Sequence, residues 1–192
     1  MSSFADEGTA AHWVLEQCLL AIYNLGMDPS IVRADMYVGT SIKIEADQEG
    51  DHSLLGPSGA KGWMNCGQWA QMSKKYPEPL QGERYVEFTQ DYADAVNTCL
   101  EYVETRVAWI KENYGPVTVR TERRVSSKDL TGHDETDGTA DISLIADGYA
   151  EQIDFKGGAG VAVTADDPQN AWYFLGLCAE YMRGNTVPFS RA

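Results

Sequence analysis

The spacing of apolar residues changes period partway along this chain, and that change limits the architectures open to it. From Asp6 to Leu25, Ala11, Leu15, Cys18, Ile22 and Leu25 recur at helical spacing until Gly26 and Pro29 end the run. Tyr92, Val96, Cys99, Val103, Val107 and Ile110 mark a second helix, closed by Gly115-Pro116. Val117, Val119 and Val125 then alternate with Thr118, Arg120, Glu122 and Arg124, the period of a half-buried strand. Ser126 to Gly138 reads as a polar loop. Ala140 to Ala146 and Tyr149 to Lys156 read as two further strands joined by Asp147-Gly148, a dipeptide suited to a tight hairpin, with Val161 to Val163 extending the region. Asp167-Pro168 opens a last helix running to about Arg183. Between the first two helices only a short strand around Ile42 to Ile44 and a helix over Pro57 to Tyr76 can be drawn. Helices, a three-strand meander and a closing helix predict an α+β domain.

At 192 residues the chain is expected to form a single domain over 1–192. Lys and Arg total 15 against 29 Asp and Glu, a formal charge of −14. That balance argues against a protein that coats nucleic acid by bulk charge, but not against an enzyme meeting DNA through a local site or bound metal ions. No apolar run is long enough to cross a membrane. Met1-Ser2-Ser3 before Asp6 and Glu7 lacks the basic start and apolar stretch of a signal peptide, so the cytoplasm is the expected location. Cys18, Cys66, Cys99 and Cys178 form no C-x-x-C, which removes the signatures of thiol redox, zinc-knuckle and iron–sulfur sites. Cys18 and Cys99, inside apolar stripes, read as buried free thiols.

The chemistry-bearing stretch is Gly138-Thr-Ala-Asp141 followed by Ile153-Asp154-Phe155-Lys156. Residues two apart on a strand share a face, so Asp154 and Lys156 project together, and Asp141 on the partner strand is within reach of Asp154. Two converging carboxylates repel, so either one takes a proton or a cation sits between them. Oxygen ligands suit a hard divalent ion such as Mg²⁺, and an adjacent lysine can position water or stabilise charge developing on a phosphate. The same residues also suit a surface ion pair near a hairpin end. His12 and Glu16 stand one turn apart beside the stripe of the first helix, and Gln169 and Tyr173 have that spacing on the last.

Taken in order, G-x-x-x-H (Gly8 to His12), G-x-x-D (Gly138 to Asp141), D-x-K (Asp154 to Lys156) and Q-x-x-x-Y (Gln169 to Tyr173) resemble the RecB-like branch of the PD-(D/E)XK nuclease superfamily. The wording EGTAAH, GTAD, IDFKGGAGV and DDPQNAWYFLG is similar to an uncharacterised phage-encoded subgroup. The resemblance implies a restriction-endonuclease-like core, a mixed sheet with a three-strand meander flanked by helices. It implies a metal-dependent DNA phosphodiester hydrolase, an exonuclease in phage recombination or DNA processing, working in the host cytoplasm. Its expected partners are DNA and a phage recombination protein or a further copy of the chain. Asp141 and Asp154 would be carboxylate ligands of Mg²⁺ or Mn²⁺, with His12 as a third ligand and the Phe155 carbonyl as a further one. Lys156 would be the catalytic lysine, and Gln169 and Tyr173 would line the DNA path. Glu122 would be a supporting acid and Glu16 a ligand of a second metal or of water. The segment Leu55-Gly-Pro-Ser58 to Trp63-Met-Asn-Cys66 is similar to a helix that precedes G-x-x-x-H in relatives but here follows it. Only Thr186 to Phe189 is placed to supply the strand found after Q-x-x-x-Y.

Other features carry less. His52 and His133 lie in polar loops with no carboxylate or cysteine at ligand spacing and read as solvated histidines, and Gly157-Gly158-Ala-Gly160 lacks the ending of a phosphate loop and reads as a turn. Arg120, Arg123, Arg124 and Lys128 form one basic cluster, either exposed strand residues or a phosphate-contact patch in which Arg120 and Arg124 bind DNA. Trp63, Trp69 and Tyr76 read as core aromatics or as rings that stack on bases. The competing class is a catalytically idle acidic protein that imitates DNA or docks a basic partner. An extended exposed row of carboxylates would mark the mimic, and convergence of His12, Asp141 and Asp154 would mark the nuclease.

Overall fold

A computed structural model describes residues 4–44, 84–134, 136–157 and 168–184. Helix α1 (Phe4–Tyr23) leads through a single 3-10 turn (Ala34–Tyr37) to strand β1 (Ser41–Ile44). Strand β2 (Arg84–Glu87) precedes the long helix α2 (Gln90–Tyr114). Strand β3 (Thr118–Ser126), the one-turn helix α3 (Lys128–Thr131), strands β4 (Asp137–Ala146) and β5 (Tyr149–Ile153), and helix α4 (Pro168–Gly184) follow. The described strands form an antiparallel pair, β1–β2, and an antiparallel sheet in the order β3-β4-β5. The chain is therefore α+β with the expected meander, and every described strand pairing is antiparallel. The expected helix over Pro57 to Tyr76 and the strands at Val161 to Val163 and Thr186 to Phe189 lie outside the described residues, as do Cys66, Trp63, Trp69 and His52. Among the described residues, no helix is long and apolar enough to cross a membrane.

The core is built where the helical stripes meet. Ala10, Ala11, Val14, Leu15, Cys18, Leu19 and Ile22 are the buried face of α1, and Ala93, Val96, Leu100, Val103, Val107 and Ile110 that of α2. Both join one cluster with Phe88 and with Ile142 and Leu144 of β4. Burying side chains of this size contributes roughly 1.5–3 kcal/mol each. Polar ties fix the seams. Arg106 of α2 forks onto Glu151 of β5 at 2.8–3.0 Å, donates to the Tyr149 hydroxyl and lies over the Trp109 ring. Arg84 pairs with the buried Asp6, joining β2 to the start of α1.

Strand boundaries differ from the sequence reading at the β3–β4 connection and at the end of β5. The expected loop over Ser126 to Gly138 is partly structured, because the β3–β4 ladder runs on to Ser126↔Asp137 and α3 occupies the connection. The polar residues of that ladder face outward and give no apolar alternation to read. Strand β5 ends at Ile153 rather than Lys156, because the Phe155 N–H is donated to the Asp141 carboxylate, at 2.7 Å, instead of to a ladder.

Helix α4 is set close against β3 at Gly176, where an added Cβ would lie 3.0 Å from Val125 Cβ and Cγ2 and 3.3 Å from the Ser126 nitrogen. Alanine ordinarily improves a helix by about 1 kcal/mol over glycine. Here the neighbours are a buried β-branched side chain and a backbone atom, and overpacking costs about 1–3 kcal/mol. Gly176→Ala should therefore destabilise, by about 1 kcal/mol in urea unfolding; an increase in stability would show that α4 packs more loosely than described.

Candidate functional site

Register brings the acids together. The pairs Thr121↔Ile142 and Arg123↔Ala140 flank Glu122 and Asp141, so these two stand opposite each other across β3 and β4. The pair Ile142↔Ile153 puts Asp154, one residue past the end of β5, opposite Asp141 on the other side. Three carboxylates thus occupy one rung. Glu122 has φ 44°, and it is the only non-glycine residue with positive φ among the described residues. A bulky side chain in that region is strained, at roughly 1–3 kcal/mol. This local departure interrupts regular pairing at the rung itself.

His12, from α1, closes the group. Its Nδ1 lies 3.5 Å from Glu122 Oε1 and 3.7 Å from Asp141 Oδ2. One ligand atom from each of His12, Glu122 and Asp141 lies within 4.8 Å of the others. The Phe155 ring packs edge-on to the imidazole at 5.2 Å. Gly157 allows this closure, since a Cβ there would stand 2.7 Å from the Phe155 ring and 3.2 Å from Ala11 Cβ of α1.

The second half of the group is Asp154 with Lys156. Lys156 Nζ is 2.6 Å from Asp154 Oδ2, and the Asp154 side chain is 4% exposed. Its Oδ1 is buried without a hydrogen-bond partner, a state that is costly for a carboxylate oxygen. The lysine remains partly open to solvent.

These contacts shift titration. Burial pushes the Asp141 carboxyl up to about 6, with Asp154 and Glu122 adding to the rise and His12 and the Phe155 N–H opposing it. Burial alone would hold His12 down, but the hydrogen bond to Glu122 and the negative charges of Asp141 and Glu122 outweigh it and raise the imidazole above its ordinary value. Glu16 is raised by burial and by Glu122. Burial lifts the Tyr173 hydroxyl to about 12; Gln169 opposes this, and Asp141, Asp154 and Glu122 contribute, so Tyr173 lies within the field of all three acids.

The expected site residues fall into three groups. His12, Asp141 and Glu122 converge, with Asp154, Lys156 and the Phe155 N–H and ring beside them. Glu16 lines the adjoining cleft of about 490 Å³ with Gly8, Thr9, His12, Trp13 and Glu122. Gln169 donates to the hydroxyl of Tyr173 at 3.2 Å, and Tyr173 is buried against Val125 and Ala140. The arginines face acids: Arg120 and Arg123 converge on Glu180 of α4, and Arg124 faces Asp137. The sequence reading ranked Glu122 below Asp154 as a cluster member and passed over Trp13. A histidine at the head of the first helix was signal enough for the α1 side.

A family model described as protein of unknown function (DUF2800) matches residues 78–182, more than half of the chain. The match includes Glu122, Asp141, Asp154, Lys156, Gln169 and Tyr173, while His12 and Glu16 lie before it. No curated protein and no solved structure matches.

Asp141 and His12 hold protons to higher pH in the folded protein than in the unfolded chain, so folding is coupled to proton uptake at both. With chelator present, stability should therefore fall as pH rises from about 4 through about 6, where Asp141 ionises, and again as His12 loses its proton. Asp141→Asn should flatten the first part of that fall and raise stability near neutral pH by on the order of 2 kcal/mol. Urea unfolding across this pH range checks it, and stability that rises over the same range would contradict the assigned environment.

Proposed function

The chain belongs to the family described as protein of unknown function (DUF2800), and we propose that it is a divalent-metal-dependent DNA phosphodiester hydrolase. In this reading the antiparallel meander and its helices are part of a restriction-endonuclease-like core of the RecB-like PD-(D/E)XK kind, acting as an exonuclease in phage recombination or DNA processing. One observation carries it: an imidazole nitrogen 3.5–3.7 Å from two carboxylates on a rung whose third carboxylate keeps a buried oxygen without a partner.

The donor set fits a hard divalent cation. At ligand distances of about 2.0–2.1 Å, neighbouring ligands of an octahedral ion stand about 3 Å apart and opposite ones about 4.2 Å. The His12 separations, 3.5 and 3.7 Å, exceed the neighbouring-ligand value by about 0.5–0.7 Å, so the side chains would close by that much around the ion. His12, Glu122, Asp141 and the open oxygen of Asp154 would hold Mg²⁺ or Mn²⁺, which would polarise the phosphate and lower the pKa of an attacking water. The chain's own groups do the rest. The Phe155 N–H orients Asp141, the Phe155 ring orients His12, and Asp154 holds the Lys156 ammonium at the edge of the cluster. From there Lys156 orients water or stabilises charge developing on the phosphate.

The mimic reading loses ground on the same surface. Glu104, Glu151 and Glu180 are each occupied by arginine, Asp137 by Arg124 and Asp134 by Lys128. These five carboxylates are withdrawn from any anionic row, although the chain keeps a net charge of −14.

Digestion of linear and circular DNA with Mg²⁺ or Mn²⁺, with chelator as control, tests the proposal. Asp154→Asn should remain folded yet cut no DNA, because it removes one of the crowded charges and one oxygen ligand. Lys156→Ala should still bind Mn²⁺ but lose more than about a hundredfold in rate. Folded wild-type protein that binds Mn²⁺ and leaves every DNA form intact would overturn the enzyme reading.

A further inference from the structure

We infer that Trp13 and the bare helix turn at Gly8 form a seat for one unpaired nucleotide, so that the substrate enters as a single strand or frayed end; the inference rests on the nuclease reading above. The exposed side of α1 carries Gly8, Thr9, His12, Trp13 and Glu16 along the cleft that holds Glu122. On this side Trp13 is 43% exposed, although the next two residues, Val14 and Leu15, are buried.

Trp13 is open but anchored. Tyr37 meets it at 5.7 Å with the ring planes at 87°. Such a T-shaped contact covers at most one face of the indole, and 43% of the residue remains exposed. Tyr37 is itself in edge contact with the fully buried Phe88 at 6.4 Å. An aromatic ring tied to the core beside a carboxylate–imidazole cluster has the properties of a stacking platform, since every base presents a π-face. A base inside a duplex is already stacked on both faces and paired, so an unpaired base uses that surface at the least cost.

Gly8 supplies the second observation. Glycine inside a helix weakens it relative to alanine, and packing does not require it here, because an added Cβ would meet nothing within 4 Å. It stands one turn before His12 on the same line of α1, where it leaves the helix backbone open to whatever enters the cleft. Charge points the same way. Glu16 and Glu122 border this cleft and repel phosphates, and Arg120, Arg123 and Arg124 are turned to Glu180 and Asp137. Grip through a neutral base suits an acidic cleft better than grip through the backbone.

The test is fluorescence anisotropy with a labelled oligothymidylate single strand and a blunt duplex of equal length, in Ca²⁺, alongside the digestion assay. Wild type should prefer the single strand. Trp13→Ala should weaken single-strand binding about tenfold and leave duplex binding unchanged, with Trp13→Phe retaining most of the affinity. Gly8→Ala should raise Tm yet weaken single-strand binding, a combination that misfolding cannot produce. If wild type digests DNA but Trp13→Ala binds oligothymidylate as wild type does, this inference falls and the nuclease reading stands. If wild type neither digests DNA nor binds either oligonucleotide, both fall.

Discussion

Crowding of negative charge on one rung of the β3-β4-β5 sheet is the constraint around which the rest of this molecule is arranged. Glu122, Asp141 and Asp154 stand side by side across adjacent strands, and burial makes the ionised form of Asp141 costly. The fold answers the problem locally with a histidine, a lysine and a backbone N–H. It does not answer it completely. Asp141 is left with its carboxyl raised to about 6, and Asp154 keeps an oxygen without a partner. An unrelieved cluster of this kind, beside an open cleft, is what a cation-dependent site requires before its cation arrives.

The scaffold explains how such a cluster persists. Helices α1 and α2 bury continuous apolar faces against β4, which gives the rung a rigid backing. Arg106 clamps β5 to α2 through Glu151, and so fixes the strand that leads into Asp154. Gly157 lets the chain pass close enough to α1 for the Phe155 ring to meet His12, and Gly176 lets α4 lie close on β3 with Tyr173 beneath the acids. The strain at Glu122 is borne by a strand held on both sides of it by paired residues.

Periodicity revealed α1, α2 and the meander because α1, α2 and β4 bury apolar faces in a common core, while Asp167-Pro168 marked the start of α4, which packs Tyr173 in a separate cluster with Val125 and Ala140. The Asp147-Gly148 turn also sets register: Ala146 pairs with Tyr149, and counting outward places Asp141 opposite Asp154. Glu122 was harder to rank, because the β3–β4 connection contains a helical turn and the residue's positive φ leaves no mark in the side-chain pattern. Strand β2 has four residues with only Val86 buried, and its partner β1 lies far off in the chain, so no local pattern joins them. The pairing of Arg120 and Arg123 with Glu180 is likewise a long-range contact that alternation along β3 does not disclose.

The central claim is that the rung and His12 hold one divalent cation. Anomalous diffraction from crystals of the full chain grown with Mn²⁺ tests it without depending on turnover. The account predicts a manganese peak bounded by His12 Nδ1 and the carboxylates of Glu122 and Asp141, with Asp154 adjoining. A fully loaded crystal whose manganese lies elsewhere, with His12 still against Glu122 and Asp141, would contradict it.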